Sequence, residues 1–405
     1  MAIGIAAGTA NAAGMIDLNG VLGFIGGERL GLIKPIQRSS QDQGIEMTVL
    51  GAVRDAGSAE IYVAMQDLTN EPTQRIDETL DVYDYFVQGG SANNVQKVDY
   101  DPQTGRAIVR FLANGRMQDR MTVRITSFLR GAHKQERYDP NLDLAALLTS
   151  QKPAPYVTLK RSEDIGGMGG PKLLQVKEQE EIRALPLNGT SISLPGINGI
   201  KISNVGFVDG KLHIQVKREG EMGKYNHGYL YFTDPKGGRD RIADYSFSYG
   251  RYDDEQGSWS GAYEEHVFDL SNIEQIRSLK LLGYFVDYDE LVQGHWEVTF
   301  NLAAESRKLT GVIDLAAEGR TVKKIEVSPL GITWQGKGME STQKRAEDLT
   351  SRLNLIVHFK DGKEIRAQNG FIQSSDGSLT WIAPQTLPLD QIDHVSLDGQ
   401  RIQLK

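Results

Sequence analysis

The sequence predicts an all-β protein of tandem immunoglobulin-like antiparallel β-sandwich domains, preceded by a short apolar N-terminal segment. In residues 44–53, Met47 and Val49 alternate with more polar neighbours, which is typical of a strand with one buried face. Residues 199–214 repeat a design of strand, Asp-Gly turn and strand, and residues 322–332 are a weaker third copy. Turn signals separate short strands along the rest of the chain, as in sandwiches. The three copies favour three domains.

The length of 405 residues is too great for one ordinary core, because domains usually hold about 100–200 residues. Apolar residues make up 39% and charged residues 24% of the chain, the composition of a soluble globular protein. The predicted division is an apolar remnant and connector at 1–43, then β-sandwich domains at 44–187, 188–306 and 307–405.

The N-terminal stretch carries apolar side chains but also many glycines in residues 15–43. Since each interior glycine costs a helix about 1 kcal/mol, we expect a short helical turn or two and then an extended connector that docks on the first domain. Residues 2–14 are small and apolar, and Ala10-Asn11-Ala12 has the form that export peptidases cut after.

This start is similar to the outer end of a hydrophobic segment, but it has no basic flank and fewer than the roughly 20 apolar residues of a spanning helix. Two explanations are open: an internal start at Met1 with the membrane segment lost, or a flexible arm of small residues. We favour the first and expect membrane anchoring through a missing or truncated N-terminal helix.

The first predicted domain contains alternating apolar segments with turns between them. Asp101-Pro102-Gln103-Thr104-Gly105 is a turn made of residues that favour turns for backbone reasons. Strands are expected at 44–53, 61–65, 80–87, 97–100, 106–112 and 121–128.

The end of this domain is less regular. Residues 142–148 predict a short helix with Asn141 as its N-cap. The glycine run at 166–170 lacks the GxxxxGK[ST] pattern of a phosphate loop, and Pro171 removes a backbone donor. We therefore interpret it as a linker or mobile loop, followed by a polar strand or linker at 175–186.

The second predicted domain opens at the second copy of the repeat. Its last strand, residues 295–302, places Trp296, Val298, Phe300 and Leu302 on one face. Further strands are expected at 229–233, 245–252, 267–270 and 279–286.

The third predicted domain contains the strongest turn signal, Asp361-Gly362, between apolar segments at 353–360 and 364–365. This pattern predicts a β-hairpin. Other strands are expected at 311–315, 322–332, 379–382, 394–397 and 401–404.

The charge balance argues against one class of partner. The formal net charge is −8, whereas nucleic-acid binding requires clustered Lys and Arg on one face. The chain has no cysteine, which excludes disulfides, thiolate metal sites and cysteine catalysis.

Five stretches carry a family resemblance: residues 44–53, 61–70, 294–300, 325–332 and 388–399. Together they resemble the extracytoplasmic part of a family of Gram-positive membrane proteins, which carry a domain of unknown function beyond a single transmembrane helix. Some members of that family are described as anti-sigma-factor-like or sensor proteins.

The resemblance covers nearly all of residues 20–405 and consists of packing and turn motifs. It implies a cell-envelope protein exposed outside the cytoplasmic membrane. It supplies no catalytic residues. The family's cytoplasmic segment, where a sigma factor would bind, has no counterpart in these residues. The family's complete membrane helix has no counterpart in them either.

The candidate metal ligands have simpler explanations. His213, His295 and His358 lie in predicted strands, and the seven histidines form no HExxH or close His-x-His pattern, so we expect scattered surface or strand-edge histidines. The acidic groups at 99–101 and 253–255 lack the full oxygen set that calcium prefers. We predict no metal and no cofactor.

An aromatic-rich segment offers the candidate binding surface. Residues 245–249 carry aromatics at strand alternation, which favours core packing. Tyr252, Trp259 and Tyr263 follow, and exposed aromatic side chains stack on sugar rings or anchor protein interfaces. These three residues are the predicted binding surface.

No nucleophile elbow or paired carboxylates stand out, so we predict no catalytic residues and a non-enzymatic protein. The hypothesis is a sensing or interaction ectodomain of an anti-sigma-like envelope protein, whose partner is an envelope protein or wall polymer. A carbohydrate-binding module is the alternative, favoured if residues 252–263 are exposed. A hydrolase with a site assembled from distant strands comes third.

Overall fold

The computed structural model describes residues 31–55, 57–69, 75–88, 91–114, 118–150, 156–160, 166–254, 257–304, 307–317, 320–337, 354–367, 371–375, 378–383 and 386–405. Within these ranges the chain forms seven sheets of antiparallel strands. The predicted all-β fold of antiparallel sandwiches is therefore confirmed. The apolar residues 2–14 lie outside the described residues.

The strands are numbered along the chain. Those of the first third are β1 (Lys34–Asp42), β2 (Ile45–Arg54), β3 (Ser58–Asp67), β4 (Asp81–Gln88), β5 (Ser91–Asp101), β6 (Arg106–Asn114), β7 (Arg120–Arg130) and β8 (His133–Tyr138). Then come β9 (Val157–Lys160), β10 (Gly166–Met168), β11 (Glu181–Ala184), β12 (Ile192–Ser193), β13 (Ile200–Val208), β14 (Lys211–Arg218), β15 (His227–Thr233), β16 (Arg241–Ile242), β17 (Tyr245–Asp254), β18 (Gly257–Phe268) and β19 (Lys280–Asp287).

The last strands are β20 (Glu290–Asn301), β21 (Leu309–Ala317), β22 (Arg320–Ser328), β23 (Gly331–Lys337), β24 (Leu355–Phe359), β25 (Glu364–Arg366), β26 (Phe371–Ser375), β27 (Ser378–Ile382), β28 (Ile392–Leu397) and β29 (Gln400–Gln403). The helices among the described residues are α1 (Leu144–Ser150), α2 (Gly170–Lys177), α3 (Gly220–Gly223), α4 (Ile273–Arg277) and a 3₁₀ turn at Leu389–Gln391.

Two compact units divide the chain: residues 1–128 with 292–405, and residues 129–291. We call them unit 1 and unit 2. The predicted domain boundaries after residues 187 and 306 fall inside these units. The three-domain division stays a prediction.

Unit 1 contains a first sandwich whose sheets run β1-β2-β3-β6-β5 and β20-β7-β4. They share one apolar core around Trp296, Phe128 and Phe111. The indole nitrogen of Trp296 donates to the carbonyl of Ile45 at 3.0 Å, so its burial leaves no polar group unsatisfied. The predicted apolar face of β20 is confirmed, and it packs into the core of this first sandwich.

The connector expected at residues 15–43 turns out to be partly a strand. Residues 34–42 form β1, which pairs with β2 from Lys34 opposite Ala52 to Asp42 opposite Ile45. Residues 15–30 lie outside the described residues.

The second sandwich of unit 1 has sheets β21-β22-β23-β27-β26 and β25-β24-β28-β29. Its core includes two fully buried indoles, Trp334 and Trp381. The predicted hairpin is confirmed: β24 pairs with β25, His358 stands opposite Glu364, and Gly362 adopts φ +85° in the turn.

A turn of the third repeat copy joins the two sandwiches of unit 1. Leu330, 2% exposed, packs with Leu50, Tyr62 and Ile108 on the first sandwich. The hydroxyl of the neighbouring Ser328 donates a hydrogen bond to the buried carboxylate of Asp55. This turn therefore has a packing role between two sheets.

Unit 2 has three layers. A six-stranded sheet, β10-β17-β18-β14-β13-β12, shares an apolar core with the sheet β16-β15-β19-β8. A second cluster packs the hairpin β9–β11 and helix α2 against β17 and β18. The six-stranded sheet therefore has a layer on each face.

Two expectations about unit 2 were wrong. The glycine run is a strand and a helix start, because β10 pairs with β17 and α2 begins at Gly170. Gly167 has φ +134°, and a Cβ there would lie 2.1 Å from the carbonyl oxygen of Ser246. Only glycine permits this approach. The cap of helix α1 is Asp143, which accepts from the amide of Ala146 at 2.9 Å, and not Asn141.

Candidate ligand-binding cleft

One face of the six-stranded sheet changes from apolar to polar across its width. Along β14, the side chains that enter the shared core are Leu212, Ile214 and Val216. Their partners on β18 are Phe268, His266 and Glu264, in that order. Directly paired residues share a face, so an imidazole and a carboxylate take positions where a sandwich usually holds apolar side chains.

The polar face is built around an ion pair. The guanidinium nitrogen Nη2 of Arg218 lies 2.7 Å from Oε2 of Glu264. The hydroxyl of Ser246 donates to the other carboxylate oxygen at 3.0 Å. Glu264 is 7% exposed, and these two partners fix its orientation.

His266 lies beside this pair and is 2% exposed. Burial lowers the pKa of its imidazole, an effect that the nearby carboxylate of Glu264 opposes. Among the described residues, no group hydrogen-bonds its Nε2 atom. The ring is therefore a buried group that resists protonation.

A cavity of about 370 Å³ opens over this face. Its wall includes Arg218 and Glu264, the hydroxyl of Ser248, and two tyrosines of the opposite sheet, Tyr229 and Tyr284. We call this feature the tyrosine cleft, defined by those five residues. Its volume lies within the range of small-molecule sites, about 300–1,000 Å³.

The two tyrosines are cross-strand neighbours on β15 and β19. Their rings are stacked, with centroids 5.6 Å apart and planes 25° apart. Tyr229 is 39% exposed. Leu230, the next residue after Tyr229 in β15, packs into the shared core, and successive side chains of a strand point to opposite faces. The two rings therefore lie on the outer face of their sheet, beside the cavity and not inside it.

Glycines and one exposed methionine complete the wall. Gly167, Gly228 and Gly261 leave backbone rather than side chains at the cavity. Met168, on the edge strand β10, is 65% exposed. The segment expected to be a linker thus forms one lip of the cleft.

The predicted surface at Tyr252, Trp259 and Tyr263 differs from this cleft. Tyr252 stands opposite Trp259 in the β17–β18 hairpin, and their side chains lie outside the described residues. Tyr263 is 8% exposed and stacks on Tyr249 with centroids 6.1 Å apart, so it belongs to the core and not to an exposed surface. The expected core packing is confirmed for Phe247 and Tyr249.

The expectation of scattered surface histidines was wrong for several residues. His213 and His266 are buried. His358 and His394 stack on each other, with centroids 4.2 Å apart and planes 7° apart. The spacing of histidines in the sequence does not reveal the contact between His358 and His394, because these residues meet only through the pairing of β24 with β28.

His213 belongs to a buried polar network on the other face of the six-stranded sheet. Its Nδ1 atom lies 2.5 Å from the carboxylate of Glu265, which also accepts from the hydroxyl of Tyr249 at 2.9 Å and from the amide of Leu185 at 3.1 Å. Burial is the main cause that raises the pKa of Tyr249, and the charge of Glu265 raises this pKa further. The network fixes the segment after β11 and does not line the cleft.

The acidic turn at residues 99–105 uses its carboxylate internally. Asp101 accepts from the amide of Gln103 at 2.9 Å and from the hydroxyl of Thr104 at 2.7 Å. In the part of the chain that the structure describes, no three His, Asp or Glu side chains are placed to hold a metal ion. The side chains of residues 253–255 lie outside that part.

Comparison with known proteins does not assign the chain to a family. No family model matches the chain, and no curated protein matches it. A solved structure, "The crystal structure of the conserved domain protein from Bacillus anthracis", matches over 93% of this chain and 92% of its own, at 10% identity and a TM-score of 0.19. Among the described residues, no helix is long and apolar enough to cross a membrane.

Proposed function

We propose that the chain is a non-enzymatic interaction ectodomain that binds a cell-wall polymer in the tyrosine cleft. The observation that carries the proposal is the stacked Tyr229–Tyr284 pair on the outer face of its sheet, beside the open cavity of about 370 Å³ that Arg218 and Glu264 line. Aromatic faces suit the apolar faces of sugar rings, and the polar groups suit their hydroxyls. The carbohydrate-binding alternative is therefore assigned to the tyrosine cleft and not to residues 252–263.

The carboxylate count supports binding over hydrolysis. Most glycoside hydrolases need two carboxyl groups flanking the scissile bond. Glu264 is the sole carboxylate among the described residues that line the cleft, and Arg218 and Ser246 hold it in place. A site of this kind retains a glycan without the second group that cleavage requires.

The cellular setting of the proposal rests on the sequence resemblance. A wall polymer is accessible outside the cytoplasmic membrane, so the proposal includes an extracytoplasmic and membrane-anchored location. It also includes a sensing role in an anti-sigma-like protein, with polymer binding as the input.

Sedimentation with insoluble Gram-positive cell-wall sacculi tests the proposal. The purified chain is expected to sediment with the sacculi, and Tyr229→Ala to weaken binding about tenfold, because truncating a central aromatic anchor costs 1 kcal/mol or more. Tyr156→Ala is the matched control: Tyr156 is 51% exposed and lies outside the cleft. Failure of the wild-type chain to sediment, or equal losses in the two variants, would contradict the proposal.

A further inference from the structure

We infer that the tyrosine cleft selects an uncharged glycan, an inference that rests on the proposed function and names its ligand class. The cleft holds one cation and one anion, Arg218 and Glu264, in contact at 2.7 Å. The remaining basic group of the wall, His227, lies at the exposed rim. The charges of the wall therefore cancel where a ligand would meet the ion pair.

An anionic polymer fits this arrangement poorly. A phosphate or uronate that approached Arg218 would come within contact distance of the carboxylate of Glu264, because the two side chains are hydrogen-bonded. Like charges at that separation repel strongly in a partly buried site. To avoid this repulsion, an anion would have to displace Glu264 from Arg218 and leave that carboxylate, 7% exposed, without its cation.

A pair of neighbouring sugar hydroxyls fits without that cost. Each hydroxyl both donates and accepts, a guanidinium carries five N–H donors, and a carboxylate has about four acceptor positions. The contacts with Ser246 and Arg218 use one position on each oxygen of Glu264. A diol can therefore donate to Glu264 and accept from Arg218 while the ion pair stays closed.

The aromatic pair completes the selection. The Tyr229 ring, 39% exposed on the outer face of its sheet, offers a face to the C–H surface of a second pyranose of the polymer, and Ser248 lies in the wall of the cavity. These contacts carry no net charge. Affinity should therefore come from stacking and hydrogen bonds rather than from ionic attraction.

Calorimetric titration with two sets of soluble probes tests the inference. One set is uncharged oligosaccharides of glucose and of N-acetylglucosamine; the other is poly(glycerol phosphate) and oligogalacturonate. An uncharged member is expected to bind with a Kd that changes less than about twofold between low and high salt. Glu264→Gln and Arg218→Gln should each weaken it by about fivefold, the effect of one lost hydrogen bond, while Tyr156→Ala leaves it unchanged.

The outcomes separate the inference from the proposed function. If a polyanion binds instead, with Tyr229→Ala weakening it and Glu264→Gln strengthening it, the selectivity inference is overturned and the cleft remains a wall-polymer site. If neither probe set binds and the sacculi retain no protein, both fail. Equal urea midpoints for the wild type and the variants exclude misfolding as the cause of any loss.

Discussion

Acidification should destabilise unit 2 through His266. Burial lowers the pKa of its imidazole in the folded chain, whereas in the unfolded chain it lies near the ordinary value of about 6.5. Between those two pKa values the unfolded state binds one more proton. The free energy of unfolding therefore falls as the pH drops below about 6.5, with a slope that approaches 1.4 kcal/mol per pH unit from this group.

Urea unfolding at a series of pH values from about 7.5 to 5 measures this slope. His266→Gln removes the titrating group and should flatten the profile relative to the wild type, although the variant is less stable at neutral pH because it repacks a buried site. His133→Gln is the control, because the His133 side chain is 59% exposed. Parallel pH profiles for the wild type and His266→Gln would refute the reasoning.

Three further changes have expected effects on stability. Leu330→Ala should lower the free energy of unfolding of unit 1 by about 2–4 kcal/mol, because it opens a cavity between the two sandwiches. The control Val312→Ala, at a residue 87% exposed, should change this free energy by less than about 0.5 kcal/mol. Urea titration compares the two variants. Trp296→Ala should lower the free energy of unfolding by about 3–5 kcal/mol in the same assay. A decrease below about 1 kcal/mol would contradict the central place of Trp296 in the core. Gly167→Ala should lower the melting temperature more than Gly237→Ala, because both glycines have positive φ but only the first would meet backbone atoms; calorimetry showing equal shifts would disprove the close-approach argument.

The sequence alone determined the local structure of most strands. Period-two alternation placed Trp296 and Phe300 on a buried face, and Asp361-Gly362 located a hairpin, because both signals depend on neighbouring residues only. Where local signals pointed elsewhere, as at the glycine run, the sequence prediction failed. Those glycines belong to β10, which pairs with β17. No residue near them in the sequence indicates that partner.

The tertiary structure alone decided the location of the cleft. Tyr229 and Tyr284 are 55 positions apart, and Arg218 and Glu264 are 46 positions apart; each pair meets only through strand register. Register is set by the burial of whole faces and by turns along the full length of a sheet. A sequence pattern therefore identifies which side chains can share a face, while the packed sheets determine which of them meet.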